Sequence, residues 1–355
     1  MRSVAQFISR SSDEAIVTSA PCRADLAGGT IDIWPLYLFH PGGVSVNVAL
    51  SILTACRITA QAGQGILLKS HDTLRVDRFR NLDELLAAKS YGHALAAHLV
   101  RFFRPGGGFR LETFSESPAG AGISGSSALM IATAAALARF VGCKIDIEKI
   151  RVIAQNVEAQ LIRVPTGCQD YYPAMYGGVS AIHLDVDGIR HEAIPVSLDE
   201  LDQRLALFYT GAPRQSGINN WKVFKQHING DKRVARNFDE IARIAQGMYR
   251  AMANQQWEDA EELMREEWKL RRTNAPGIAT PLMDKLIEVA KQNGARAAKV
   301  CGAGGGGCVI LLIEKGIRRR VEDAVRDAGG QPLLFQVARK GLEFRPSARL
   351  GSAKA

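Results

Sequence analysis

The sequence PAGAGISGSSA occupies residues Pro118–Ala128, between a strand-like segment and an apolar, helix-like one. Glycines let a backbone approach a ligand closely and adopt positive φ angles. The free N–H groups and the positive end of a following helix favour an anion, typically phosphate. A tight turn without a ligand is the alternative, but a turn does not need three glycines and three serines within eight residues. The stretch therefore predicts a phosphate-binding loop.

Two known kinds of nucleotide loop can be compared with this stretch. A Walker A loop is excluded because Ser126 stands where that motif requires lysine. Gly120-x-Gly122-x-x-Gly125 does match a dinucleotide fingerprint, and Asp146 follows about twenty residues later. Against that reading, the preceding strand is too polar for a buried parallel strand, and Asp146 has the position of a helix N-cap. A dinucleotide-dependent oxidoreductase stays open as an alternative.

A second glycine-rich loop, KVCGAGGGGC at Lys299–Cys308, lies between two strand-like segments. Glycine is costly inside strands, so a run of four marks a close approach by another backbone or by a ligand. A glycine-rich hairpin explains one such loop equally well. Two such loops in one chain indicate that both flank a common ligand.

Length and composition narrow the class of protein. The chain has 355 residues, 46% of them hydrophobic and 23% charged, which predicts two domains and excludes disorder as the main state. The net charge of +9 favours acidic partners. The densest basic run, Arg318–Arg320, has acidic neighbours and predicts a solvated helix face. We therefore expect no nucleic-acid partner.

The remaining composition predicts a cytoplasmic protein without a membrane partner. The six cysteines include no C-x-x-C pair, which indicates reduced thiols. The most apolar stretch, Ala128–Val141, is too short to cross a bilayer and predicts a core helix. The first twenty residues carry Asp13 and Glu14 and no long apolar run, so we expect no secretory signal. No H-E-x-x-H or G-x-S-x-G motif occurs.

Strand-like and helix-like segments are mixed from end to end, which predicts an α+β fold. A turn at 62–65 predicts that Ile52–Ser70 forms a hairpin. The stretch Asp185–Glu200 indicates a domain boundary, so we expect domains at 1–190 and 191–345 and a loose tail at 346–355. Strands are predicted near 15–20, 52–60, 66–70, 109–115, 180–184, 205–209 and 333–337, and helices near 82–103, 146–163, 237–254, 257–272, 281–293 and 317–328.

A third motif completes the pattern. The stretch Ala20–Asp32 begins APCRADLAGG, and together with the two glycine loops it resembles the three ordered motifs of the GHMP kinases (galactokinase, homoserine kinase, mevalonate kinase and phosphomevalonate kinase). Within that family the chain is most similar to sugar kinases of the heptose 7-phosphate type. The similarity rests on 28–32, 46–49, 167–170 and 209–211 with Arg214. Two departures stand out: GGTID replaces the heptose-type GGGTD at 28–32, and galactokinases carry Glu-His at Gly29-Thr30.

The resemblance implies a fold and a reaction. The fold would be a two-domain GHMP kinase, with an N-terminal domain like ribosomal protein S5 domain 2 and a ferredoxin-like C-terminal domain. The reaction would move the γ-phosphoryl group of ATP, with Mg²⁺, to a hydroxyl of a sugar or sugar phosphate. Such transfer needs positioning, charge neutralisation, a metal on the phosphates and a base for the attacking hydroxyl.

The resemblance also implies roles for individual residues. Asp170 would be the catalytic base and Arg23 its cationic partner; Ser126 and Glu158 would bind Mg²⁺, a set that suits this cation. The nucleotide would contact Pro118, Gly120, Ala121, Gly122, Ile123, Ser124, Gly125, Ser126, Ser127, Gly304, Gly305 and Gly306. The acceptor would contact Asp32, Gly28, Gly29, Thr30, Asn47 and Arg214.

Each of these roles has a plainer alternative. Ser126 can be a helix cap, Glu158 a solvated helix carboxylate and Asp170 a turn residue. For the whole chain, the alternatives are a GHMP kinase with a galactose-like, fucose-like or mevalonate-like acceptor, the oxidoreductase, and a non-catalytic regulator that keeps the fold. We expect a monomer or a homodimer.

Overall fold

The computed structural model describes residues 3–9, 15–213 and 218–344. Its strands are β1 (Ile16–Ala27), β2 (Gly43–Gln61), β3 (Ile66–Ser70), β4 (Val76–Phe79), β5 (Gly108–Ser115), β6 (Val179–Asp185), β7 (Gly188–Ala193), β8 (Leu205–Tyr209), β9 (Ala295–Val300), β10 (Cys308–Ile313), β11 (Gln331–Pro332) and β12 (Glu343–Phe344). Its helices are α1 (Val4–Ser9), α2 (Leu82–Ala87), α3 (Ala94–Phe103), α4 (Gly125–Phe140), α5 (Ile147–Ile162), α6 (Tyr171–Tyr176), α7 (Leu198–Arg204), α8 (Ile218–Ile228), α9 (Lys232–Ala253), α10 (Trp257–Arg271), α11 (Pro281–Gln292) and α12 (Arg318–Asp327), with a 3₁₀ helix at Leu36–Phe39. The α+β prediction is confirmed.

The first sheet is organised around β2, which is 19 residues long. β2 pairs antiparallel with β1 along most of its length, with β6 through its first half and with β5 through its second half. β1 is longer than predicted: it extends from Ile16 to Ala27 and is almost entirely buried after Ser19. Residues Ala20–Ala27 of the first motif therefore lie in a strand paired with β2, and the rest of the motif, Gly28–Asp32, follows that strand.

The predicted hairpin at Ile52–Ser70 is wrong. β3 does not pair with β2. It pairs in parallel with β5 and antiparallel with β4, and β5 lies between β2 and β3 in the sheet. The turn before β3 is instead held by the start of β5, because the backbone N–H groups of Gly108 and Phe109 donate to the carbonyl oxygens of Gly63 and Gly65. A turn signal predicts a change of direction but not which strand becomes the neighbour.

The second sheet has the strand order β11-β8-β10-β9, with helices between β8 and β9 and between β10 and β11. This is the ferredoxin-like arrangement that the family resemblance implies. The predicted strand at 333–337 is wrong, because only Gln331–Pro332 pairs with β8. The Leu333 N–H still donates to the Leu207 carbonyl of β8, but the chain then leaves this sheet, and Val337 forms an isolated bridge with Leu50 of the first sheet.

Two chain crossings connect the sheets. β7 pairs with β6 in the first sheet, so the expected boundary at residue 190 falls inside that strand. The last described strand, β12, pairs with β1 and returns the chain to the first sheet. The change of sheet occurs between Ala193 and Leu205.

Most predicted helices are observed, with one division. The predicted helix at 82–103 is two helices, α2 and α3, separated at 88–93. The Asp146 side chain caps α5 by accepting from the Lys149 N–H, and Thr280 caps α11 in the same way through the Met283 N–H. α4 is buried on all sides from Ser127 to Ala138, as predicted for a core helix. None of the described helices is both long and apolar enough to cross a membrane.

Candidate active site

A cavity of about 450 Å³ opens where the three sequence motifs meet. Its lining includes Arg23 of β1, Asp170 before α6, the loop 117–126 and Gly302–Ala303 of the third motif. Two walls of the cavity differ in construction. The loop wall is Pro118–Ser127 with Glu158, and within it Ile123 and Ser127 are buried behind the residues that line the cavity. The composite wall is the set Thr30, Asp32, Asn220 and Arg271.

The loop wall presents a helix N-terminus to the cavity. Gly120, Gly122 and Ser124 all have positive φ angles, so the chain turns sharply before α4 begins. Ser124 is the N-cap residue, and its side chain makes no capping hydrogen bond. The Ser124 side chain therefore accepts no hydrogen bond from the first-turn N–H groups of α4. Those N–H groups can donate to an anion instead.

Glu158 joins the loop wall from α5. Its two carboxylate oxygens accept hydrogen bonds from Ser126 Oγ at 2.7 Å, from Ser127 Oγ at 2.8 Å and from the Tyr171 hydroxyl. Burial raises the pKa of Glu158 above its usual value, although these hydrogen bonds oppose the rise. Ser126 is exposed and Ser127 is buried, so only the first can meet a ligand. Ser126 does not cap α4; it bonds Glu158 instead.

The structure brings Arg23 and Asp170 together. Arg23 Nε donates to Asp170 Oδ1 at 2.9 Å, and its Nη2 makes a second, shorter contact with the same oxygen. Its Nη1 donates to the Gly122 carbonyl at 3.0 Å, which ties the pair to the loop wall. The Arg23 side chain is 1% exposed and that of Asp170 is 23% exposed. The Asp170 carboxylate is therefore open to the cavity, and the Arg23 guanidinium binds it from the buried side.

Asp32 of the composite wall is a buried carboxyl that lines the cavity. Its Oδ2 accepts from the Gln169 N–H at 2.8 Å. Burial raises the pKa of Asp32 to about 6, and the nearby Asp170 charge adds to this effect. Gly167 packs so closely that a Cβ there would lie 1.9 Å from Asp32 Oδ2. Only glycine fits at 167 without displacing this carboxyl.

Thr30 completes the composite wall with groups from the second half of the chain. Thr30 Oγ1 donates to Asn220 Oδ1 at 3.1 Å and accepts from Arg271 Nη1 at 3.3 Å. Arg271 Nη2 also donates to the Gly29 carbonyl at 2.8 Å. Thr30 has a φ of +74°, which is rare for a β-branched residue.

Several residues predicted to bind ligands lie behind the cavity lining. Gly28 and Gly29 are in the backbone beneath Thr30, and Asn47 is fully buried with its Nδ2 bonded to Gln169 Oε1 at 3.2 Å. In the third motif, Gly302 and Ala303 line the cavity, whereas Gly304, Gly305 and Gly306 do not. Arg214 lies outside the described residues.

The third motif packs against the loop wall. The Cys308 N–H donates to the Ala121 carbonyl at 2.7 Å. Gly307 has a φ of +87°, and a Cβ there would lie 2.5 Å from the same carbonyl oxygen. The glycine run thus serves the close approach of another backbone, which is one of the two readings of its sequence.

A buried ion cluster below the cavity was missed by sequence reasoning. Asp25 Oδ2 accepts from Lys299 Nζ at 2.6 Å, and Lys299 and Arg271 also bond Glu267 Oε1, at 3.2 and 2.8 Å. Burial alone would raise the pKa of Asp25, but Lys299, Arg271 and Arg23 hold it well below its usual range. One signal was available: Asp25 follows Arg23 by two positions, so both share one face of β1.

Two family models match separate parts of this chain. The family model for the GHMP kinases N terminal domain matches residues 88–178, and the model for the GHMP kinases C terminal matches residues 248–331. A D-glycero-alpha-D-manno-heptose 7-phosphate kinase from Campylobacter jejuni is 23% identical, over 93% of this chain and 98% of its own.

Two further proteins show the range of similarity. A mevalonate kinase from Thermococcus sibiricus is 26% identical over 67% of this chain and 69% of its own. The crystal structure of a D-glycero-D-manno-heptose 1-phosphate kinase from Bacteroides thetaiotaomicron superposes with a TM-score of 0.75 at 19% identity, covering 93% of this chain and 98% of that one. The chain belongs to the GHMP kinase family, phosphotransferases that pass a phosphoryl group from ATP to an alcohol.

Proposed function

We propose that this enzyme phosphorylates a hydroxyl of a sugar or sugar phosphate, using ATP with Mg²⁺. The observation that carries the proposal is the placement of the Arg23–Asp170 pair between the loop wall and the composite wall of one cavity. The similarity to heptose phosphate kinases over nearly the whole chain supports a sugar-phosphate acceptor. A mevalonate-like alcohol is the second candidate, supported by the mevalonate kinase relatives.

Asp170 and Arg23 would carry the central step. The partly exposed Asp170 carboxylate can accept the proton of the acceptor hydroxyl or orient that hydroxyl toward the phosphorus atom. Arg23 holds Asp170 in place through two contacts to Oδ1 and can balance the charge that develops on the transferred phosphoryl group. Because Arg23 also bonds the Gly122 carbonyl, it fixes the carboxylate relative to the loop that would hold the phosphates.

The loop wall would hold the nucleotide phosphates and Mg²⁺. Ser126 Oγ and Glu158 suit this cation, which takes one or two protein oxygens and fills its other positions with phosphate oxygens and water. The described residues contain no group of three or more acidic, histidine or cysteine side chains that could hold a metal by themselves, in keeping with a metal that arrives with the nucleotide. Mg²⁺ would supply charge neutralisation on the phosphates.

The composite wall favours a hydroxyl-rich acceptor. Asp32 is an acceptor group and Asn220 carries an amide, and both suit hydrogen bonds to sugar hydroxyls. This set of hydrogen-bonding side chains on one wall is the observation that ranks a sugar above a mevalonate-like alcohol.

The structure gives no support to the oxidoreductase alternative. Asp146, which would have to bind a ribose in a dinucleotide site, is instead the N-cap of α5. β5, the strand before the glycine loop, pairs antiparallel with β2 and in parallel only with β3. We therefore keep the kinase reading.

Two further proposals concern the location of the enzyme and the limits of its domains. We propose that the enzyme is cytoplasmic, since the six cysteines include no C-x-x-C pair and five of them are buried. We propose a first domain that ends shortly after Ala193, where the chain leaves the first sheet, and a second domain that ends before Val337.

The test is ADP release from MgATP across a panel of acceptors: D-glycero-D-manno-heptose 7-phosphate, galactose, fucose and mevalonate. Turnover on a sugar or sugar phosphate that exceeds turnover on mevalonate supports the proposal. Mevalonate as the best acceptor replaces it with the second candidate. MgATP binding by calorimetry without turnover on any acceptor contradicts the proposed acceptor class.

A further inference from the structure

The carboxylate of Asp25 is surrounded by donors from three parts of the chain. It lies on β1 and is fully buried. Lys299 Nζ donates to Oδ2 at 2.6 Å, and the Gly302 N–H donates to Oδ1 at 3.0 Å. Arg23 Nη1 lies 3.8 Å from Oδ1, and Arg271 Nη2 lies 4.0 Å from Oδ2. One side chain thus touches the first motif, the third motif and helix α10.

The charges of this cluster cancel only when all of its members are counted together. Arg23, Lys299 and Arg271 are its cations, and Asp25, Glu267 and Asp170 are its carboxylates. Arg23 is shared: it bonds Asp170 on the cavity side and faces Asp25 on the buried side. A change at Asp25 therefore reaches Asp170 through Arg23, although Asp25 does not line the cavity.

Stability alone gives a weak reason for such a cluster. Removing ions from water is costly, and apolar residues of the same volume often stabilise a protein equally well. A buried charged cluster does restrict geometry, because each donor must point at its acceptor. The groups restricted here are the guanidinium that holds Asp170 and the first residue of the loop that lines the cavity.

We propose that Asp25 is a positioning residue for phosphoryl transfer, which sets Arg23 and the third glycine loop in their working places. This inference rests on the proposed function. Asp25 is fully buried and does not line the cavity, so its loss should affect the chemical step more than binding. A misplacement of about 1 Å in such a site can cost on the order of 10²-fold in rate.

Three variants separate positioning from simple charge balance. Asp25→Asn keeps the shape and removes the charge. Asp25→Asn with Lys299→Met removes one charge of each sign, so no uncompensated ion stays buried. Glu112→Gln is the matched control, since Glu112 is a buried carboxylate that contacts Arg57, His71 and Arg110 outside the cavity lining.

We expect Asp25→Asn to lower kcat at least about tenfold, with KM for ATP and acceptor within about threefold of wild type. The double variant should recover thermal stability without recovering kcat. Glu112→Gln should lose stability and keep kcat. If Asp25→Asn does not fold, the double variant supplies the kinetic measurement.

A double variant with wild-type kcat, or an Asp25→Asn enzyme whose loss lies in KM, would overturn the inference while leaving the proposed function intact. A wild-type enzyme that releases no ADP with any acceptor overturns the proposed function and this inference together. An active wild type with an unaffected Asp25→Asn variant overturns only the inference.

Discussion

The loop wall and the composite wall of the cavity are built in different ways. The loop wall is one continuous stretch, Pro118–Ser127, plus a single carboxylate from α5. The composite wall combines Thr30 and Asp32, which follow β1 in the chain, with Asn220 from α8 and Arg271 from α10. A continuous loop carries its geometry in its own glycines and serines. A wall collected from three segments has a geometry that exists only after folding.

The two walls also differ in what determines their chemistry. Backbone N–H groups at a helix start favour an anion wherever that helix begins. The chemistry of the composite wall depends on the folded structure. Burial raises the pKa of Asp32 to about 6, and the packing of the chain brings Arg271 into hydrogen-bond distance of Thr30. The predictions below test this difference, from the largest expected effect to the smallest.

Asp170 stands between the walls, so its removal should be the most damaging single change. Asp170→Asn is expected to lower kcat by about 10²- to 10⁴-fold, because the amide cannot take the hydroxyl proton. MgATP affinity should change little, since the loop wall is untouched. Steady-state kinetics and calorimetry measure both, with Asp146→Asn as a control, because asparagine caps a helix as well as aspartate does. Equal losses in the two variants would contradict the assignment.

Asp32 tests whether burial sets the chemistry of the composite wall. A carboxyl whose pKa rises on folding binds its proton more tightly in the native state, so native stability falls as pH rises from about 4 through about 6. Asp32→Asn should therefore raise the free energy of unfolding at pH 8, by at most about 3 kcal/mol. The same variant should raise KM for the acceptor. Chemical denaturation at pH 4 and pH 8 measures the effect; an unchanged pH dependence would argue against it.

The acceptor KM gives a second reading of Asp32. If the ionised carboxylate accepts a hydrogen bond from the acceptor, the wild-type KM should rise as pH falls below about 6. The Asp32→Asn enzyme should lack this rise. A parallel rise in both enzymes would assign the pH dependence to another group.

Ser126 and Ser127 test the loop wall with a matched pair. Both hydroxyls donate to Glu158, at 2.7 and 2.8 Å, but only Ser126 is exposed. Ser126→Ala should raise the Mg²⁺ concentration needed for half-maximal rate by about tenfold or more. Ser127→Ala should leave it within about threefold of wild type. Similar shifts in both variants would mean that the serines act only by orienting Glu158.

Thr30 offers the smallest effect and concerns backbone strain. Its φ of +74° disfavours any residue with a Cβ. Thr30→Gly and Thr30→Ala both lose the hydroxyl bonds to Asn220 and Arg271, but only glycine relieves the strain. Thr30→Gly should be more stable than Thr30→Ala by about 1 kcal/mol in thermal or chemical unfolding. Equal stability would show that no strain is held there.

Local signals predicted much of the fold. The caps Asp146 and Thr280, the helix periods and the strand at Leu205–Tyr209 were readable because capping and periodicity are properties of neighbouring residues. The hairpin at Ile52–Ser70 failed because strand pairing depends on β5, which lies about forty residues later in the chain. The strand at 333–337 failed because that segment turns toward the first sheet.

The same division holds for the site. The resemblance named Arg23, Ser126, Glu158 and Asp170, and the structure places all four around one cavity. It did not indicate Lys299 or Glu267, since nothing in a linear sequence shows that both approach Asp25. Asn47, Gly28 and Gly29 carried motif signals, yet they support the lining from behind.

The sequence by itself determined the class of fold and indicated the proposed phosphate loop and the proposed Arg23–Asp170 pair, because these depend on local backbone freedom and on ordered motifs. Only the tertiary structure decided which charges meet. Asp25, Lys299, Glu267 and Arg271 become one cluster, and Asp32 becomes a weak acid, because folding removes them from water. In that low-dielectric environment charge interactions strengthen and ionisation becomes costly, so distance in space, not in sequence, sets the chemistry of the composite wall.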